Sequence, residues 1–112
     1  MSTKESTAQF LEEQVSAAGA VRIRKMFGEY ALYCDDKVVA LICDDRLYLK
    51  PTEAGKAFGG SFEEGNAYPG SSMFWIVEED RWENREWMSE LIRLTADALP
   101  KPKPKKPRKK KS

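Results

Sequence analysis

The run from Arg22 to Lys50, RIRKMFGEYALYCDDKVVALICDDRLYLK, constrains this chain more than any other part of it. Two acidic pairs, Asp35-Asp36 and Asp44-Asp45, divide it into apolar segments rich in Val, Ile, Leu and Tyr. β-Branched and aromatic side chains suit a pleated surface, and Asp suits a tight turn. The run therefore predicts an antiparallel meander of short strands. With Asp44-Asp45 as a two-residue turn, Cys43 faces Arg46, Ile42 faces Leu47, Leu41 faces Tyr48 and Ala40 faces Leu49. Alternation then places Ala31, Tyr33, Val38, Ala40, Ile42, Leu47 and Leu49 on one face. Tyr30, Leu32, Val39, Leu41 and Tyr48 fall on the other, with Cys34, Cys43, Arg46 and Lys50. Moving the first turn from Asp35-Asp36 to Asp36-Lys37 changes partners but not faces. A one-sided sheet would alternate apolar with polar residues, and here both faces are largely apolar. Helices are expected on one face. A partner chain, an added helix or the chain's own long loop is expected on the other, which makes Tyr30, Leu32, Val39, Leu41 and Tyr48 the candidate partner interface.

The flanking segments supply the helices. A first helix is expected over Ser6–Ala18, with Ser6 and Gln9 as a capping box and Ser2 with Glu5 as a rival start. Its apolar stripe is Ala8, Leu11, Val15 and Ala18, and Gly19 ends it. A first strand follows over Arg22–Phe27, with Gly28 read as a bulge or bend. Thr52 can cap a short helix through Phe58, stopped by Gly59-Gly60. Ser61–Ser72, SFEEGNAYPGSS, reads as a loop, and Met73–Val77 as a fifth strand. Asp80 with Glu83 marks the start of the last helix. Trp87, Leu91, Leu94 and Ala98 form its stripe, widened by Met88 and Ile92. Pro100 closes it. The fold class is α+β, two-layered, with an antiparallel sheet of about five strands and helices packed on one face.

At 112 residues and 41% hydrophobic, the chain can bury one modest core. No apolar run approaches membrane-spanning length, and MSTKESTAQF lacks a signal-peptide apolar region, so a cytoplasmic location is the expectation. Its two cysteines, Cys34 and Cys43, do not face each other in either hairpin register, and they read as small buried hydrophobes. With no histidine and no closely spaced cysteine pair, no metal site is expected, and no cofactor.

The wording RKMFGEYALY…ALICDDRLYLK resembles the N-terminal domain of the TfoX/Sxy family, regulators of natural competence in bacteria. The resemblance is carried by Met26-Phe27-Gly28, the strand Tyr30–Tyr33, and Asp44-Asp45-Arg46-Leu47-Tyr48-Leu49-Lys50. Tyr68-Pro69-Gly70 before an aromatic strand also fits, and the likeness covers roughly residues 5–99. It implies an α+β domain of helix, strands, helix, strand and helix, with a regulatory role. Full-length competence regulators of this family carry a second, helical C-terminal domain, for which these 112 residues leave no room.

After Leu99 the composition changes to PKPKPKKPRKKKS. Eight of the nineteen basic residues lie there and none of the eighteen acids. The body, 1–99, thus carries eleven basic and eighteen acidic residues, about minus seven, and the tail, 100–112, plus eight. Alternating Pro and Lys cannot form a core, so a disordered, extended polycation is expected. Lys101, Lys103, Lys105, Lys106, Arg108, Lys109, Lys110 and Lys111 are candidate contacts to nucleic-acid phosphates. They carry no aromatic and no rigid geometry to read bases, so the contact would be blind to sequence. Arg22, Arg24 and Lys25 form a secondary basic patch, or the exposed side of an edge strand. Catalysis is not expected. Histidine is absent, and the acids fall in turns or on helix surfaces. Two functions follow: a regulatory protein held near nucleic acid by its tail, or a dimeric interaction module using the second sheet face.

Overall fold

The structure, a computed structural model, describes residues 3–100. The tail cations Lys101 to Lys111 lie outside the described residues. The elements run α1 (Glu5–Gln14), a 3-10 turn (Ser16–Ala18), β1 (Val21–Met26), β2 (Glu29–Cys34), β3 (Lys37–Cys43) and β4 (Arg46–Leu49). Then come α2 (Glu53–Gly59), β5 (Glu63–Asn66), β6 (Met73–Val77), a second 3-10 turn (Glu79–Arg81) and α3 (Arg85–Ala98). The strands form one sheet of six in the order β1-β2-β3-β4-β6-β5, and every adjacent pair is antiparallel. This is the expected α+β class. None of the described helices is long and apolar enough to cross a membrane.

Three two-residue turns shape the meander: Phe27-Gly28, Asp35-Asp36 and Asp44-Asp45. All six residues have positive φ, from 52° to 82°. Turns with two left-handed residues match the natural twist of the strands they join. Asp tolerates that backbone because its short side chain bonds locally. Here each acidic pair also bonds beyond its own hairpin. Asp35 Oδ1 accepts the Ala20 N–H at 2.9 Å, and the Asp35 N–H donates to the Ala20 carbonyl at 3.0 Å. Asp45 Oδ1 accepts the Lys4 N–H at 2.9 Å, at the start of α1. Gly28 is therefore a turn residue, not a bulge.

The β3–β4 register is the expected one, Cys43–Arg46 through Ala40–Leu49. The β2–β3 register is not. Cys34 pairs with Lys37 and Tyr33 with Val38, but Leu32 then pairs with Ala40, which leaves Val39 as a β-bulge. One extra residue flips every later side chain to the other face. Tyr30 and Leu32 consequently share a face with Ala40, Ile42, Leu47 and Leu49. Ala31 and Tyr33 lie opposite.

The helices cover the first of these faces. Ala8, Leu11, Val15 and Ala18 of the N-terminal segment pack there with Met88, Leu91, Ile92 and Ala96 of α3, all buried. Lys37 Nζ donates to the Ala96 carbonyl at 2.6 Å, placing a cation on the C-terminal turn of α3. The Ser6–Gln9 capping box does not form, and Ser2 lies outside the described residues. Lys4 is the N-cap of α1 and makes no side-chain cap bond, and Asp45 from the distant turn serves instead. Asn84, not Asp80, caps α3, accepting the Trp87 N–H at 3.1 Å. The reason is Trp82, which is buried and donates Nε1–H to the Val77 carbonyl at 3.0 Å, so the chain turns into the core before the helix begins. Thr52 caps α2 as expected, accepting the Gly55 N–H at 2.9 Å. Trp87 and Leu94 lie half-buried at the side of α3, and Trp87 stacks on Phe58 of α2.

The sixth strand, β5, comes from the segment expected to be a loop. Its Glu63, Glu64 and Asn66 are exposed, and it exists through pairing with β6. Strands β1 and β5 are the free edges. The Ile23 N–H of β1 donates to the Glu12 carboxylate at 3.2 Å, so α1 covers part of that edge.

The Asp45 cap yields a test. The Lys4 N–H holds the Asp45 carboxyl below its usual range, aided by the Thr7 hydroxyl and the Lys4 charge. A lowered folded pKa means stability present above the unfolded value and lost as pH falls through the folded one. Asp45→Asn, which keeps a side chain suited to positive φ, is expected to lower stability by up to about 1 kcal/mol at neutral pH, and the deficit should vanish in strong acid. Denaturant melts of both proteins across pH check this; a deficit unchanged by acid would contradict it.

Candidate functional site

The second face of the sheet carries a smaller apolar cluster. Cys43, Tyr48 and Phe74 are buried in it, with Leu41, Ala67 and Ile76 packed against them. Ala67 belongs to the β5–β6 connection, so the chain's own loop covers part of this face. Asn66 shapes that loop, donating Nδ2–H to the Ser71 carbonyl at 2.8 Å, and the Ser71 N–H donates to the Tyr68 carbonyl at 3.0 Å.

Among the described residues the cover is incomplete. A groove of about 480 Å³ remains between the loop and the β1–β2 turn. Leu41 and Cys43 line it with Ala67 and Tyr68 of the loop and Met26 and Phe27 of the turn. Phe27 is fully exposed, at 102% of its reference area, and Tyr68 is 55% exposed. Glu29 supplies a carboxylate to the lining. Its Oε1 accepts the Thr3 hydroxyl at 2.6 Å and the Asp44 N–H at 3.0 Å. Thr3 is buried, and its N–H donates to the Gly28 carbonyl at 3.1 Å. Its hydroxyl oxygen also accepts the Asp45 N–H at 3.2 Å. The N-terminal segment thus ties the Phe27-Gly28 turn to the Asp44-Asp45 turn and fixes one end of the groove.

The groove presents apolar side chains, one carboxylate and one thiol. Burial, with the charges of Glu29 and Asp44, pushes the Cys43 thiol up to about 11. Burial and Asp35 do the same for Cys34, also to about 11. Both thiols are protonated near neutral pH and are poor nucleophiles or metal ligands. Among the described residues no three His, Cys, Asp or Glu side chains gather where they could hold a metal ion.

The candidate partner interface is divided by the bulge. Tyr30, Leu32 and Val39 are buried in the helix-side core, although Tyr30 also reaches the lining of the groove, whereas Leu41 and Tyr48 lie on the second face. The grouping of all five on one face is therefore corrected. Arg22, Arg24 and Lys25 are exposed on edge strand β1. Arg22 lies 4.2 Å over the Tyr33 ring and 3.8 Å from Asp36, while strand alternation separates Lys25 from the two arginines. The residues that sequence reasoning missed are Met26, Phe27, Glu29, Ala67 and Tyr68. The available signal was Phe27 directly before Gly28, a bulky residue at a turn position that favours Asn or Gly.

A family model, the TfoX N-terminal domain, matches residues 13–99. An uncharacterized 12.7 kDa protein in the trpE 5' region of Spirochaeta aurantia is 46% identical over 106 residues, covering 95% of this chain and 91% of that protein. Protein Sxy of Escherichia coli K12 is 29% identical over 98 residues, covering 82% of this chain and 47% of that protein. The chain therefore spans about half the length of Sxy and nearly all of the spirochaete protein.

Thiol alkylation tests the packing around the groove. Iodoacetamide near neutral pH is expected to leave both cysteines of the native protein unmodified over a period that fully labels the denatured chain. Equal rates in the two states would show that neither thiol is held as described.

Proposed function

The chain belongs to the TfoX N-terminal domain family, and from that premise we propose that it is a non-catalytic regulatory protein of the competence-regulator kind. It acts in the cytoplasm, with 1–99 as its acidic body and 100–112 as a basic appendage. Lys101, Lys103, Lys105, Lys106, Arg108, Lys109, Lys110 and Lys111 hold it near nucleic acid through phosphate contacts. The observation that carries the reading is the family match over 13–99 joined to a segregation of charge, minus seven against plus eight. An anionic body repels a polyanion, so the contact falls to the tail, and release of counterions drives it. The short basic group Arg22, Arg24 and Lys25 adds little, because it is spread over both faces of an edge strand and Arg22 is engaged by Asp36.

A second reading, a dimeric interaction module working through the second sheet face, is favoured by one observation. The groove beside Phe27 is an apolar surface that the described residues leave uncovered.

Binding of the full chain to duplex DNA is expected to weaken steeply with salt. With about six phosphate contacts the log–log slope is roughly −5. A variant with all eight tail cations changed to Gln should lose that slope and most of the affinity, and neither protein should discriminate between sequences. A variant that binds as tightly as the natural chain across the salt series would remove the tail from the mechanism.

A further inference from the structure

We propose that the Met26-Phe27 tip of one copy seats in the groove of a second copy, and reciprocally, to form a two-fold dimer. The inference rests on the second reading above and names the segment that makes the contact.

Phe27 is the first argument. It is fully exposed and held at φ 52°, a backbone conformation unfavourable for any bulky side chain. The turn it occupies prefers Asn, Asp or Gly. Among the described residues no burial compensates for a Phe at this position. A local choice that opposes the turn's own preference points to a contact outside the single chain.

The second argument is shape. The projecting ring and the apolar hollow lie on the same surface, side by side. A two-fold contact needs that arrangement, since the patch that gives must also receive. Phe27 of one copy would rest on Leu41 and Cys43 of the other, closed in by Tyr68. Phe27 and Tyr68 are exposed, Leu41 is half-buried, and Cys43 lies at the floor of the groove with little of its area accessible.

Charge selects the occupant. Arg24 precedes the tip, and the β1–β2 register puts it on the sheet face that also carries Met26 and Glu29. An incoming tip therefore brings a guanidinium toward a groove whose lining includes the Glu29 carboxylate. A second copy supplies the aromatic knob and the matching cation together. The alternative route to a dimer, pairing of edge strands, is opposed at both edges. Glu12 occupies the Ile23 N–H of β1, and β5 carries Glu63 and Glu64.

Sedimentation equilibrium of the full chain tests this, with Phe27→Asn and Arg24→Glu beside the natural protein. The natural protein is expected to move from monomer to dimer with concentration. F27N should raise the dimer dissociation constant at least about thirtyfold, as expected for loss of an interface hot spot. Its melting temperature should stay level or rise, because Asn accepts positive φ; that separates lost contact from lost fold. R24E should also weaken the dimer. A natural protein that remains monomeric at high concentration would overturn both this contact and the dimer reading. F27N dimers as tight as the natural ones would overturn the groove contact alone and leave dimerisation by another surface.

Discussion

The architecture depends on the backbone of three tight turns. In each, both central residues occupy the left-handed region, and that geometry fixes which residues of adjacent strands meet. A sheet built from short strands has little else to hold its register. The two Asp-Asp pairs do more than turn the chain. Asp35 anchors the entry to β1 through Ala20, and Asp45 anchors the start of α1 through Lys4. Local turn chemistry and long-range docking are thereby carried by the same side chains. The Asp35 and Asp45 carboxylates are occupied with backbone amides.

The second sheet face follows from this arrangement. The N-terminal segment is stitched by Thr3 to the turns at one end of the sheet, and the β5–β6 loop folds over Tyr48 and Phe74 from the other side. Among the described residues the two covers do not meet. What remains is an apolar trough with an aromatic residue standing on each bank and a carboxylate at its margin. Its thiol is held protonated by burial, which fits a surface that contacts rather than reacts.

Much of this was legible in the chain itself. The β3–β4 pairing could be read residue by residue because an acidic turn and an apolar alternation agreed. The Thr52 cap and the buried stripe Ala8, Leu11, Val15 and Ala18 were equally plain, since periodicity and stop signals coincided. Three features were not. The bulge at Val39 has no signature among β-branched neighbours that fit either face, yet it inverts β2. The start of α3 was masked by Asp80 and Glu83, a sound local cap overruled by the burial of Trp82. Strand β5 is polar and contains Gly65, so only its pairing with β6 makes it a strand. The groove was hidden for a related reason. Phe27 looked like the end of a strand, and only the turn geometry shows it standing free.

The carboxylate of Glu12 against the Ile23 amide has a consequence for the behaviour of many copies together. A sheet with an open margin can recruit strands without end and grow into fibrils. Here any strand arriving at β1 must first evict a charged side chain anchored on α1. At the opposite margin it meets two glutamates on a four-residue strand. Both margins of the sheet thus carry acidic side chains that oppose open-ended strand addition.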